Sequence, residues 1–255
     1  MRVVKIGGRA QSDPRLACAI HAAWDFAPGA LCIVHGGGDE ITAMQNALGR
    51  QAVFHGGRRV TSNADLELLR MVLSGVVNKR LVNSLVAEGV PAVGISGEDS
   101  GLIGAQIIDA ATLGFAGEPT NIRPQIIRTL LAGGFLPVIS PVAYDASSGA
   151  GGTLNVNGDD AAAALAAALK AVELVYIADV EGVEDDSGVV LSNIHTDLAR
   201  ELIRQGIAVG GMAAKLESAE AALKGGVERV RICDVEGLAD SERGTLITQA
   251  EGVVS

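Results

Sequence analysis

Short apolar runs that end in glycine alternate along this chain with longer stretches of helical period. Residues 3–6 form the first such run, which ends at Gly7-Gly8, and a helix is expected around 14–25. Residues 30–34 form the second, ending in His35-Gly36-Gly37-Gly38 and leading into a helix near 40–48. Strand, glycine turn, helix and strand again is the grammar of a parallel sheet joined by crossover helices. Residues 51–60 alternate about Gly56-Gly57 and predict a hairpin. Ser62, three residues before Asp65, then marks the start of a helix running to about 88. Segments 91–95 and 136–139 read as strands, 102–108 with 113–117 as smaller antiparallel pieces, and 123–132 as a helix.

The second half keeps the same style. A loop at 149–152 precedes residues 155–160, which are expected to cap a helix to 171, with Asp159 as the capping side chain. A buried strand at 174–178, a surface turn at 184–188, helices near 197–205 and 212–224, a strand at 229–233 and a short terminal helix and strand complete the chain. The predicted fold class is α/β, a three-layer αβα sandwich with a mainly parallel central sheet. We expect a single domain over 1–255, its N-terminal lobe at about 1–150 and its C-terminal lobe at about 151–255 sharing one sheet.

Composition narrows the function. Of 255 residues, 48% are apolar and only 3% aromatic, which suits a sheet covered by helices rather than an all-β sandwich. A formal charge of −10 argues against a nucleic-acid or anionic-membrane surface, which needs clustered lysine and arginine. An anionic ligand must then be held by a few local cations and backbone amides. The alanine-rich run 161–169 is too short to span a bilayer. Cys18, Cys32 and Cys233 have neither zinc nor redox spacing and read as reduced core residues. With no basic leader or signal-type apolar stretch, a cytoplasmic location is expected. The histidines (His21, His35, His55, His195) show no ligand spacing, so no protein metal site is expected.

No Gly-Lys pair exists, hence no Walker A loop, and no G-x-G-x-x-G follows a strand. Phosphates can still be held by Gly7-Gly8 and Gly36-Gly37-Gly38, each at the carboxyl end of a predicted strand, where open α/β sheets place ligands. Lys5, inside an apolar strand, admits two readings: an edge strand facing solvent, or an ammonium aimed at a phosphate beside Gly7-Gly8. Lys215, after Gly210-Gly211-Met212, is either a solvated helix lysine or its counterpart, and Asp159 can both cap a helix and sit between the two. Arg58-Arg59 reads as a charged turn or as a clamp for a substrate carboxylate. Asn155 and Asn157 can bind a small polar ligand or cap, and Asp179 can contact ribose or shape a turn.

Together these segments resemble the amino acid kinase family. The resemblance covers nearly the whole chain. It rests on Val4-Lys5-Ile6-Gly7-Gly8, Val34-His35-Gly36-Gly37-Gly38, Gly57-Arg58-Arg59-Val60-Thr61, Val77-Asn78-Lys79 and Gly94-Ile95-Ser96-Gly97. It continues through Pro137-Val138-Ile139-Ser140-Pro141-Val142, Asn155-Val156-Asn157-Gly158-Asp159, Asp179-Val180-Glu181-Gly182-Val183 and Gly210-Gly211-Met212-Ala213-Ala214-Lys215.

Within that family the chain looks like the members that phosphorylate N-acetyl-L-glutamate with ATP in arginine biosynthesis. The resemblance implies that Lys5 and Lys215 are catalytic, with Asp159 organising them. It implies that Gly36, Gly37, Arg59 and Asn155 hold the acylamino acid, Arg59 on its α-carboxylate. It places Gly7, Gly8, Asp179, Gly182, Ile207, Val209 and Gly211 around ATP, whose Mg2+ is held by phosphates. It further implies a homodimer formed through the N-terminal half.

Arg9 and Gly158 depart from the family pattern, which has a small residue and an alanine there. With four residues before Lys5, the extra N-terminal helix of the arginine-inhibited hexameric members is not expected, which favours a homodimer without arginine feedback. Rival readings are a kinase for aminoadipate or glutamate on a carrier protein, an N-succinylglutamate kinase, and a non-catalytic sensor.

Overall fold

The computed structural model describes residues 1–147 and 151–250. Gly149 and Ala150 of the expected loop lie outside the described residues.

In chain order, β1 (Arg2–Ile6), α1 (Leu16–Phe26), β2 (Leu31–His35) and α2 (Gly38–Ala47) form the first crossover pair. A two-stranded hairpin follows, β3 (Phe54–His55) with β4 (Arg58–Arg59). Helices α3 (Asn63–Arg70) and α4 (Asn78–Ala87) lead to β5 (Ala92–Ser96). Next come β6 (Ile103–Ile107), α5 (Ala110–Leu113), β7 (Ala116–Ile122), α6 (Gln125–Ala132), β8 (Leu136–Ser140) and β9 (Val142–Asp145). The remainder is β10 (Thr153–Val156), α7 (Gly158–Leu169), β11 (Glu173–Ile177), β12 (Asn193–His195), α8 (Thr196–Arg204), α9 (Gly210–Lys224), β13 (Arg229–Cys233) and β14 (Thr245–Thr248).

Eight strands form one sheet in the order β12-β14-β13-β11-β1-β2-β8-β5. It is parallel except where β13 meets β14. Helices cover both faces, so the central strands have no solvated side: every residue of β2, β8 and β11 is buried. The α/β sandwich predicted from the apolar runs is therefore present. β1 lies between β11 and β2, joining strands from the two halves of the chain. Among the described residues no helix is long and apolar enough to cross a membrane.

Three local expectations change. Strands β6 and β7 do pair antiparallel, but β9 and β10 join them and close a four-stranded barrel with two parallel pairings. Asn155 thus lies on a strand rather than in a pre-helical cap. The helix expected from Ser62 to 88 starts on a capping box between Ser62 and Asp65, yet changes to π geometry over Met71–Val77. Such turns recur at functional sites, and here Leu73 and Val77 lie against Gly37. Finally, Cys32 and Cys233 are buried, but Cys18 is exposed, because it falls on the outer face of α1. Desolvation pushes the Cys233 thiol up to about 11.

Candidate active site

Because β1 is central, Lys5 is not an edge residue. It is 7% exposed, and a lysine so buried needs a partner. Asp159, in the first turn of α7 and 4% exposed, supplies it: Lys5 Nζ lies 2.7 Å from Asp159 Oδ1. The other oxygen, Oδ2, is 3.4 Å from Nζ of Lys215, in the second turn of α9. Two ammonium groups against one carboxylate leave one positive charge in excess. Burial opposes ionisation of Asp159, but the Lys5 and Lys215 charges outweigh it and hold the carboxyl below its ordinary value. Burial also lowers Lys215, with the Asp159 charge opposing and the Lys5 charge adding to the shift.

Asp159 does not cap α7. Asn157, extended just before the helix, already does so, its Oδ1 accepting from the Asp159 N–H at 2.7 Å. That frees the Asp159 side chain to turn inward. Gly158 lets the helix start approach β1, since a Cβ there would sit 3.2 Å from Lys5 Cε. The departure at 158 therefore gives Lys5 a few tenths of an ångström that a methyl group would remove.

Both glycine turns close around this cluster. The Gly7 N–H donates to Ile177 O at 2.9 Å and the Gly36 N–H to Ile6 O at 3.0 Å. At Gly37 a Cβ would come 2.7 Å from Leu73 Cδ2, so the backbone there runs flush against the π-helical turn. The adjoining cleft, about 220 Å³, is lined by Lys5, Gly8, Gly36, Gly37, Arg59 and Asn155, among others. A larger cavity of about 830 Å³, with Arg2, Glu173 and Arg229 in its wall, lies at the opposite ends of the strands. Parallel α/β sheets bind ligands at their carboxyl ends, and the convergent charges are there, so the smaller cleft is the candidate.

Arg59, buried on β4, forms its wall. Its Nη2 donates to Gly38 O at 2.9 Å and Thr42 Oγ1 at 2.8 Å, its Nη1 donates to Gln45 Oε1 at 2.5 Å, and it stacks 4.7 Å over Phe54. Burial lowers its basicity, with Asp65 and Asp39 opposing. Asn155 Nδ2 donates to Thr61 Oγ1 at 2.9 Å, which leaves its carbonyl oxygen for a ligand N–H.

The residues expected around a nucleotide are more dispersed. Asp179, at the end of β11, pairs with Arg9 at 2.7 Å and adds to the field at Lys215. Val209 is the exposed residue before α9, and no side chain caps that helix. The Gly210 and Gly211 amides there are open to an anion. Ile207 is half-buried and its N–H donates to Leu202 O at 3.0 Å. Gly182 is buried, and a Cβ would meet Thr245 Oγ1 at 2.6 Å, so its visible role is packing.

His35 stands behind the second turn. Gly36 O can only accept, so Nδ1, 2.8 Å away, carries the proton; Nε2 then accepts from Asn78 Nδ2 at 3.1 Å. Desolvation, with the charge of Lys5 adding, pushes its pKa down to about 4. Unfolded chains therefore take the proton first as pH falls. We expect about 3 kcal/mol of stability to be lost between about pH 6.5 and 4 on this account. NMR of the His35 ring should show a neutral imidazole down to about pH 5; a midpoint near 6.5 contradicts the assignment.

Sequence reasoning missed the supports: Gln45 and Thr42 under Arg59, Asn78 under His35, and Asp160 with Ser218. A buried polar side chain in an otherwise amphipathic helix, such as Asn78, was the available signal. Among the described residues no group of acidic, histidine or cysteine side chains is placed to hold a metal ion.

The chain is similar to known proteins over nearly its whole length. Acetylglutamate kinase of Cereibacter sphaeroides is 40% identical over 98% of this chain and 88% of its own. The enzyme of the same name from Methanococcoides burtonii is 38% identical over 91% and 81%. Among solved structures, smu.665 from Streptococcus mutans UA159 superposes with a TM-score of 0.87 at 31% identity, covering 98% of both chains. The amino acid kinase family model matches residues 1–234, and the chain belongs to that family.

Proposed function

We propose that this protein transfers the γ-phosphoryl group of ATP to the γ-carboxylate of N-acetyl-L-glutamate, giving N-acetyl-L-glutamyl 5-phosphate and ADP. The observation that carries the reading is the Lys5–Asp159–Lys215 cluster, with Lys5 and Asp159 buried, beside a cleft sized for a small acylamino acid. Relatives named acetylglutamate kinase over nearly the whole chain support the same substrate.

The residue types fit the chemistry. A γ-carboxylate, with an ordinary pKa of about 4.3, is already ionised at neutral pH and needs no general base. His35, neutral and committed on both ring nitrogens, is not placed to act as one. The obstacle is charge, because an anion must approach a triphosphate in line. Lys5 and Lys215 neutralise oxygens of the transferring group, and glycine amides with the uncapped start of α9 cradle phosphates.

Asp159 is occupied by the lysines and is not a metal ligand, so Mg2+ would be held by the phosphates of ATP. The ion would further neutralise the charge on those phosphates. Arg59, with three N–H donors fixed on α2, offers the rest to the substrate α-carboxylate. The Asn155 carbonyl accepts the acylamide N–H. On this reading the N-terminal lobe binds the acylamino acid and the C-terminal lobe the nucleotide.

A homodimer fits the free end of the sheet. β5 is the last strand, α4 packs beside it, and Met71, Val76 and Val86 are exposed. Light scattering should give twice the 26.0 kDa chain mass, and a Val86→Asp variant should shift towards monomer; a monomeric wild-type protein contradicts this.

The function is tested by ADP release with hydroxylamine present, comparing N-acetyl-L-glutamate with N-succinyl-L-glutamate, free glutamate and free aminoadipate. Hydroxamate from N-acetyl-L-glutamate at the highest kcat/KM is expected. Silence with all four free compounds would turn the reading to a carrier-bound substrate.

A further inference from the structure

Asp160 stands next to Asp159 in the first turn of α7 and faces away from the lysines. Both its oxygens are engaged: Oδ2 lies 2.7 Å from Arg58 Nη1, and Oδ1 accepts from Ser218 Oγ at 2.7 Å. Arg58 belongs to β4, in the hairpin whose Phe54, Gly57, Arg58 and Arg59 line the candidate cleft. Ser218 follows Lys215 by three residues on α9, one helical step along the same face, and is 3% exposed. A single carboxylate thus joins the hairpin of the first half to the helix that carries Lys215.

The hairpin depends on such ties. Its strands, of two residues each, pair with one another and not with the main sheet. A two-stranded ribbon alone is marginal in water. Arg59 fastens it to α2, and Arg58 fastens it to α7. The Arg58–Asp160 pair is partly exposed, and pairs of that kind add little to global stability. Its effect is local: it fixes where the hairpin sits over the cleft.

We propose that Asp160 is a positioning residue: seated on Ser218, it clasps Arg58, closes the hairpin over the acylamino-acid cleft and aligns that hairpin with the helix bearing Lys215. This rests on the reading of the cleft as the acylamino-acid site. Asp160 touches no reacting atom. It holds Arg58, and through the β4 backbone it places the neighbouring Arg59.

The test is a double-mutant cycle on the whole protein, with kcat and both KM values measured. Asp160→Asn and Arg58→Gln should each raise KM for N-acetyl-L-glutamate about tenfold, with KM for ATP and kcat within about twofold. The double variant should be no worse than the more damaging single one, and Arg58→Lys should keep most of the wild-type affinity. Equal rises in both KM values, or additive losses in the double variant, would overturn the proposal.

Hydrogen exchange gives a readout independent of turnover. In the ligand-free protein, amides of residues 51–60 should exchange faster in Asp160→Asn, while those of α9 stay protected. Unchanged exchange in the hairpin overturns the clasp. If the wild-type protein ignores N-acetyl-L-glutamate but hairpin exchange still responds, the substrate reading fails and the clasp stands.

Discussion

Lys5→Ala and Lys215→Ala are each expected to lower kcat by about 10³-fold while the protein remains folded, because each removes a positive charge aimed at the developing charge of phosphoryl transfer. Neither lysine is needed to hold the sheet together. Lys5 belongs to a strand whose Val3, Val4 and Ile6 fill the core, and its side chain ends at Asp159 rather than among apolar groups. After either substitution one ammonium still neutralises Asp159, so the buried carboxylate is not left alone. KM for either substrate should move much less than kcat, since a ground-state phosphate keeps its glycine and helix-start amides. Steady-state kinetics with a matched thermal melt checks both halves of this expectation. Near-normal turnover in both variants would remove the lysines from the mechanism.

Asp159→Asn is expected to damage stability and activity together. The substitution removes the carboxylate that both ammonium groups share, and breaking a buried pair in this way costs about 3–5 kcal/mol. Turnover should fall by at least about 10²-fold, because repulsion would drive Lys5 and Lys215 apart from the arrangement that receives the phosphate.

The pH dependence follows from the direction of the Asp159 shift. Its folded pKa lies below the ordinary value, so its stabilisation is fully present above about pH 3.9 and is lost as pH falls through the folded value. The variant should therefore lose stability at neutral pH and show a weaker acid transition than the wild type. Urea unfolding at pH 7 and pH 3 measures the difference. An Asp159→Asn protein as stable as wild type at pH 7 would mean that the two ammonium groups do not depend on Asp159 for their counter-charge.

The order of strands and helices was legible because parallel strands buried on both faces read as unbroken apolar runs, and glycines mark their ends. Lys5, Asp159 and Lys215 were also legible, since charge in an apolar strand or at a helix start stands out. What brought them together was not: residues 5, 159 and 215 meet only because β1 sits between β2 and β11, a pairing that no local pattern encodes. The barrel of β6, β7, β9 and β10 escaped for the same reason, its strands being short and partly parallel. The π-helical turn left no mark, as Met71–Val77 has the apolar content of an ordinary helix. Of the two uses read for Asp159, only the capping one fails, because Asn157 takes that place and leaves the acid to the lysines.

The central claim is that a substrate carboxylate, and not water, attacks the γ-phosphorus of ATP. It is tested most directly with N-acetyl-L-glutamate carrying 18O in its γ-carboxylate. The acyl phosphate is trapped with hydroxylamine, and the released phosphate is examined by 31P NMR. Hydroxylamine attacks the acyl carbon, so the phosphate leaves with the oxygen that had bridged carbon and phosphorus. One 18O in each phosphate released together with hydroxamate is the predicted result. Unlabelled phosphate accompanying ADP would show attack by water and would contradict the account.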